Sequence, residues 1–420
     1  TAQNNDDDGD ATADWYYAPP TGVESLCTDN LSDPEIALPG ENFNTVLWTG
    51  DGASSRALTG VGFQPDLLWV KQRAQAISSQ LYDAVRGTGS SKALSSDSTN
   101  AEDGGNADEY GYLSSFDSDG FTGVDGTSSP NYYFNESAKT FVAWNWKAGG
   151  TPTVDNSAGA GNTPTAGSVK IDGANLGSAL AGSIAATRLS ANTDAGFSIV
   201  SYTGTGSNAT VGHGLSEAPT FIMIKCRSSV ANWKGGTTLV SGKTFADGNG
   251  YYFELDDTKA LTNPGSASQW GSTPANPTAS VFSVGPSSIG QNADTETYVA
   301  YCFHGVDGYS KVGKYSGNGV VDGSYIYTGF QPAYLLIKRI DTTGRWSIWD
   351  NKREDYDGNV NETTLRADVV DIEQDHTDMS LDFLSNGFKL RNASNFDNNS
   401  SGTYIYLAFA ESPFKYSNAR

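Results

Sequence analysis

Residue types that usually run catalysis are sparse in this 420-residue chain, and no short motif gathers them. Of the three histidines, His213 sits in the turn Gly212-His213-Gly214, His304 follows an aromatic run and His376 lies between acids in an expected surface loop. They are not at the spacing by which zinc is gripped, so each reads as a structural or exposed residue. No nucleophile elbow, P-loop or dinucleotide fingerprint occurs. Gly120-Phe121-Thr122-Gly123 and Gly204-Thr205-Gly206 are glycine-rich, but neither leads into the helix whose amides would hold a phosphate. A carboxylate pair for glycoside hydrolysis needs two of the 48 acids to converge in space, and no motif signals it. Asp6, Asp8 and Asp10 alternate as in a calcium loop, yet Ala11 stands where that loop needs Gly and Tyr17 where it needs Glu. Cys27, Cys226 and Cys302 are too few for a disulfide framework and are expected to be reduced thiols. The chemistry therefore points to a non-enzymatic protein with no metal or cofactor.

Binding leaves a stronger trace. Trp233, Trp270, Trp346 and Trp349 lie outside the repeated strands or beside their ends, and loop tryptophans stack on sugars and partner surfaces. Trp233 and Trp346 are the ligand-binding candidates, although Trp346 and Ile348 alternate about Ser347 in the way core residues do. A second candidate is the aromatic stretch Trp15, Tyr16 and Tyr17, followed by Pro19 and Pro20, which reads as an extended arm laid along a partner.

The formal charge of −22 is spread along the chain and repels phosphate backbones, which argues against nucleic acid. No apolar stretch has the length of a membrane span and none has the pattern of a signal peptide, and with Thr1 in first place the sequence reads as a processed product.

What positions these residues is a repeat. Three times a Gly is followed fifteen residues later by a Pro, and six residues after that by a Lys closing an apolar run: Gly50, Pro65, Lys71; Gly204, Pro219, Lys225; Gly317, Pro332, Lys338. Arg73 and Arg227 follow their lysines after one intervening residue, whereas Arg339 follows directly. Each copy ends on an aromatic strand: Thr140-Phe141-Val142-Ala143-Trp144, Thr297-Tyr298-Val299-Ala300-Tyr301 and Thr403-Tyr404-Ile405-Tyr406-Leu407. Alternation in the first places Val142, Trp144 and Trp146 on one face and Phe141, Ala143 and Asn145 on the other. The Pro-to-Lys run is apolar on both faces and so is expected to be a central strand.

Short β-rich runs bounded by Gly, Asn and Asp turns give an all-β expectation of three tandem antiparallel β-sandwich modules. The divisions are an acidic and proline-rich arm at 1–40, module one at 41–150, a Gly/Ala/Ser-rich linker or insertion at 151–191, module two at 192–306 and module three at 307–420. The short join predicts that modules two and three pack together while module one can sit apart. Leu365 to Met379 is the one stretch that reads as a helix.

The segments Gly62-Phe63-Gln64-Pro65, Phe116-Asp117-Ser118-Asp119-Gly120-Phe121, Thr140 to Gly150 and Gly196 to Gly204 resemble a repeat module of large structural proteins in tailed bacteriophages, common in marine and cyanobacterial phages and labelled tail-fibre-like. Tyr16 to Gly22 resembles the link that follows a lectin-like sandwich domain in that family. The resemblance spans about residues 41 to 416 and supplies no catalytic residue. It implies a virion protein, made in the host cytoplasm and displayed on the particle surface as a fibre or appendage contributing to host attachment. Capsid decoration, a receptor-binding protein that binds or degrades carbohydrate, and a cellular adhesin or filament subunit are the alternatives. The partners implied are other virion proteins and further copies of the chain, a trimer among the forms, with a host surface glycan as a further candidate.

Overall fold

The computed structural model describes residues 30–128, 131–265, 268–286, 290–354, 360–375, 379–394 and 396–417. Module one holds β1 (Phe43–Thr49), β2 (Ser55–Thr59), β3 (Leu67–Gln72), β4 (Gln80–Asp83), β5 (Tyr112–Asp117), β6 (Gly120–Val124) and β7 (Thr140–Trp146). These form two antiparallel sheets, β1-β7-β3-β4 and β2-β6-β5. Next come β8 (Val169–Ile171), β9 (Ala174–Asn175) and β10 (Arg188–Asn192), then β11 (Phe197–Thr203), β12 (Ala209–Gly212), β13 (Phe221–Cys226), β14 (Lys234–Thr237), β15 (Phe253–Glu254), β16 (Val281–Val284) and β17 (Thr297–Phe303). Module two uses them as a large sheet, β15-β14-β13-β17-β11-β10-β8-β9, and a small one, β12-β16. Module three has β18 (Ser310–Ser316), β19 (Tyr325–Tyr327), β20 (Phe330–Arg339), β21 (Trp346–Asp350), β22 (Thr363–Arg366), β23 (Gln374–Asp375), β24 (Leu381–Leu384), β25 (Gly387–Leu390) and β26 (Thr403–Pro413). Its sheets are β18-β26-β20-β21-β22-β23 and β19-β25-β24.

The repeat is thus a repeat of topology. In β1-β7-β3-β4, β11-β17-β13-β14 and β18-β26-β20-β21 the Pro-to-Lys strand is central, lying beside the aromatic strand of its own copy. Pro65 and Pro219 stand just ahead of their strands, where a missing amide proton is tolerated; Pro332 lies inside β20 at a register shift. The repeated glycines are dictated by contact. A Cβ on Gly50, Gly204 or Gly317 would stand 2.0, 2.2 or 2.3 Å from the carbonyl oxygen of Glu136, Ala293 or Asn399. No side chain fits there.

The large sheets are buried on both faces. Phe141 and Ala143 of β7 enter the sandwich core of module one, whereas Val142, Trp144 and Trp146 enter a central core. Tyr301 and Phe303 of β17, and Leu407 and Phe409 of β26, enter that same central core from the other two modules. The three large sheets therefore meet around a common centre, each backed by its own small sheet. Burying aromatic and aliphatic side chains of this size stabilises by roughly 1.5–3 kcal/mol apiece, which explains why alternation in these strands is apolar on both sides.

Two sequence expectations change, and of the readings linker or insertion for 151–191 the insertion is the one observed. Module one does not sit apart, because its Trp144 and Trp146 pack on Tyr334 of module three at ring distances of 5.7 and 5.6 Å. The Gly/Ala/Ser-rich stretch is tied into module two, with β8 running parallel to β10 and Gly182 and Ile184 bridging to Val211 of β12. Within Leu365 to Met379, Leu365 pairs with Ile348 and Gln374 with Thr364, so tertiary strand pairing overrides local helical preference. Among the described residues the α-helix is a four-residue turn, Ala107–Tyr110.

Candidate functional site

The repeated lysines are where the modules join. Alternation along β3, β13 and β20 turns Lys71, Lys225 and Lys338 toward the central core, where all three are buried. Each ammonium donates to a carbonyl six residues on in its own module, Ile77, Ala231 or Gly344. Each also crosses to a neighbour. Lys225 of module two donates to Thr99 O of module one at 2.9 Å, Lys338 of module three to Thr258 O of module two at 2.9 Å, and Lys71 of module one to Val370 O of module three at 3.1 Å. One contact, used three times head to tail, closes a ring inside one chain.

Backbone bonds follow the same rotation. Glu102 N donates to Arg227 O, Leu261 N to Ile340 O and Glu373 N to Arg73 O, and each acceptor lies two residues after a repeated lysine. Burial pushes all three lysines down to about 8. It also raises the carboxyl nearest each of them: Asp97 and Asp256 to about 6, and Asp368 upward. A lysine so lowered is what a nucleophilic amine requires. Here the amine is enclosed, with two carbonyls on it and no exposed surface for a substrate.

Two of the three junctions carry an ion network. Between modules one and two, Arg86 pairs with Asp83 and Glu102, Arg227 pairs with the same Glu102, and Tyr301 OH donates to Asp83 Oδ2 at 2.7 Å. Between modules three and one, Arg353 pairs with Asp350 and Glu373, Arg73 pairs with Glu373, and Trp144 Nε1 donates to Asp350 Oδ2 at 3.0 Å. The side chains of Arg86, Asp83, Arg353 and Asp350 have no exposed surface at all. Arg339 takes no part: one residue nearer its lysine, it faces the other way and pairs with Asp341 of its own module.

The ligand-binding candidates are corrected by their burial. Trp233 and Trp346 are 0% and 1% exposed, because their indole N–H groups are used to join modules: Trp233 Nε1 donates to Ser95 O of module one at 2.9 Å, Trp346 Nε1 to Glu254 O of module two at 2.8 Å. No ring face is left for a sugar. Trp270 and Trp349 are also fully buried. Trp15, Tyr16, Tyr17, the Asp6-Asp8-Asp10 run, Cys27 and His376 lie outside the described residues. Cys226 and Cys302 are free and buried, and burial pushes the Cys302 thiol up to about 12. His213, lowered to about 4 by burial, is bonded to Thr278 O within module two.

One open cleft, of about 1340 Å³, runs between modules one and two beneath residues 35–42. Two of its acids serve as ties. Asp66 accepts from Ala148 N and Gly150 N at 2.8 and 3.1 Å, and Asp172 from Thr193 N at 2.7 Å, which pins both ends of the segment between the modules. Among the described residues no group of three His, Cys, Asp or Glu is placed to hold a metal.

Two repeated elements escaped the sequence reading. A buried Asn stands five residues before each aromatic strand, and its Oδ1 accepts from the residue after the repeated glycine: Asn135 from Asp51 N, Asn292 from Thr205 N and Asn398 from Asn318 N. Asp twelve residues after the lysine, with Arg three further on, recurs in modules one and three and marks the ion networks. Both spacings were present to be found.

No curated protein matches this chain. Two stretches of it, residues 38–170 and 167–413, match a family described as a domain of unknown function, DUF7483, and they meet within β8 between the first module and the other two. With nearly all of its modular region covered, the chain belongs to the DUF7483 family.

Proposed function

We propose that this chain is a non-enzymatic structural protein of a tailed-bacteriophage particle, a rigid three-module knob on the outer surface within a fibre or other appendage. The observation that supports this reading is the ring itself. The groups that looked chemically capable, namely lysines with lowered pKa, buried Arg–carboxylate clusters and the ligand-binding candidates Trp233 and Trp346, are consumed in holding module to module. Such a molecule offers a stiff surface rather than a reaction. The resemblance of its repeats to tail-fibre-like modules gives that surface its setting.

Closure into a ring favours a second reading, capsid decoration, more than a linear array would, since the chain presents a compact knob with approximate threefold symmetry and not reach. Proteomics of purified particles tests the shared premise, and absence of the protein from virions removes both readings. Labelling with an antibody and imaging separates them: density on the head lattice supports decoration, density on the tail supports the appendage.

A further inference from the structure

The cleft between modules one and two holds polar atoms that the fold leaves unused. Asp66 and His304 line it at 2% and 6% exposure, and among the described residues Asp66 Oδ1 and His304 Nε2 have no hydrogen-bond partner. A buried polar atom left unmatched is destabilising, so packing alone gives no reason for the pair. Nor does the repeat. Counted from the repeated lysine and the aromatic strand, the places matching Asp66 hold Thr220 and Ala333, and those matching His304 hold Lys147 and Ala410.

Both atoms are acceptors. His304 Nδ1 lies 3.1 Å from Gly305 O, and a carbonyl only accepts, so Nδ1 carries the proton and Nε2 of the neutral ring presents a lone pair. Asp66 Oδ2 already accepts from Ala148 N and Gly150 N, which leaves Oδ1 as a second acceptor. Around them stand Glu35, Glu41, Asp172, Asp194 and Glu217, with Lys147 the one Lys or Arg among the described lining residues. Glu217 Oε2 comes within 4.0 Å of His304 Nδ1.

We propose that this cleft binds an arginine- or lysine-bearing segment of a partner protein, whose guanidinium or ammonium groups supply the donors that Asp66 Oδ1 and His304 Nε2 lack. A guanidinium offers N–H donors in a fixed fork and no acceptor, which matches a lining of acceptors. At about 1340 Å³ the cleft exceeds the roughly 300–1,000 Å³ of small-molecule sites, so it has room for a stretch of chain. Residues 1–29 contain no Lys or Arg and are not the source, and a second copy, itself at −22, is repelled.

Fluorescence anisotropy of a labelled hexa-arginine peptide on the intact chain tests this at about pH 7.5 and about 0.15 M salt, where distant surface charges are screened. Burial holds Asp66 at about 6, so it is ionised under these conditions. Asp66→Asn keeps an acceptor for the two amides, and His304→Asn keeps a donor for Gly305 O while removing Nε2. The comparison is the triple substitution Asp103→Asn, Asp108→Asn, Asp375→Asn at exposed acids outside the cleft. Each cleft variant is expected to weaken binding about tenfold, and the distant triple, despite losing more charge, by less than about twofold. Either cleft variant suffices where melting shows that the other does not fold. Absence of binding to the intact chain overturns the proposal, as does unchanged affinity in a folded cleft variant. So does a distant triple that loses as much as the cleft variants, which reports attraction to overall charge.

Discussion

Where modules one and two meet, Asp83, Arg86, Glu102 and Arg227 form a buried ion network; where modules two and three meet, the equivalent places hold Thr237, Val240, Leu261 and Ile340. Tyr301, whose hydroxyl reaches Asp83, is matched there by Leu407. The equivalence extends to small detail, because Thr237 Oγ1 accepts from Leu239 N just as Asp83 Oδ1 accepts from Val85 N. One backbone geometry therefore tolerates two solutions, charged and apolar, at the same junction. Both keep the buried lysine and the backbone bond that follows it. Taking charges out of water is costly and their mutual attraction only offsets it, so the networks are expected to specify which modules meet more than to stabilise the meeting.

The sharpest way to break the comparison is to leave charges unpartnered. Arg86→Ala leaves the fully buried Asp83 without its cation, while Glu102 keeps Arg227, and is expected to cost about 3–5 kcal/mol in urea unfolding, against roughly 1 kcal/mol for Val240→Ala at the matching apolar place. Equal losses would mean that the network is not desolvated. Transplanting the apolar solution, Asp83→Thr, Arg86→Val, Glu102→Leu and Arg227→Ile together, is expected to leave stability unchanged or raise it by up to about 4 kcal/mol. A large loss from this quadruple variant would show that the ions stabilise the junction outright. Tyr301→Phe removes one hydrogen bond to a charged acceptor and is expected to cost about 2 kcal/mol by the same assay.

The smallest effect concerns three buried carboxyls, Asp97 and Asp256 beside the junction lysines and Asp66 in the cleft. Burial raises Asp66, Asp97 and Asp256 to about 6 from an ordinary value near 4, so the folded chain binds more protons than the unfolded chain between those limits. Stability from these groups rises as pH falls from about 6.5 to about 4. His213, lowered to about 4, acts in the opposite direction but is a single group against three. The melting temperature at pH 5 is therefore expected to exceed that at pH 7.5 by a few degrees, roughly. A lower value at pH 5 would place the three carboxyls in a more hydrated setting than the fold gives them.

Much of this architecture was legible in the sequence because it is written in periodic features. The Gly–Pro–Lys spacing and the two-faced apolar runs follow from contacts internal to a module, such as the approach of Gly50 to Glu136 O. The sandwich and its central strand could be read from them. What could not be read was the second role of the same residues. A strand apolar on both faces says that something covers the outer face, but Trp144 does not announce that Asp350, 206 residues away, is its partner. Trp233 and Trp346 misled for a related reason: outside the repeated strands they look like loop residues, and only ring closure turns that position into an interior. Arg73, Arg227 and Arg339 carried a usable signal, since the one-residue offset of the third flips its face and marks the junction where apolar residues stand in place of the Arg–carboxylate network.

The junction that closes the ring joins the earliest module to the last, through Arg73 and Glu373, 300 residues apart. At ribosomal speeds of about 5–20 residues per second, roughly 15–60 s pass between the emergence of the two residues. Through that interval Trp69, Trp144 and Trp146 face water without the third module that will cover part of their surface. The nascent chain is thus exposed to aggregation while it is being made.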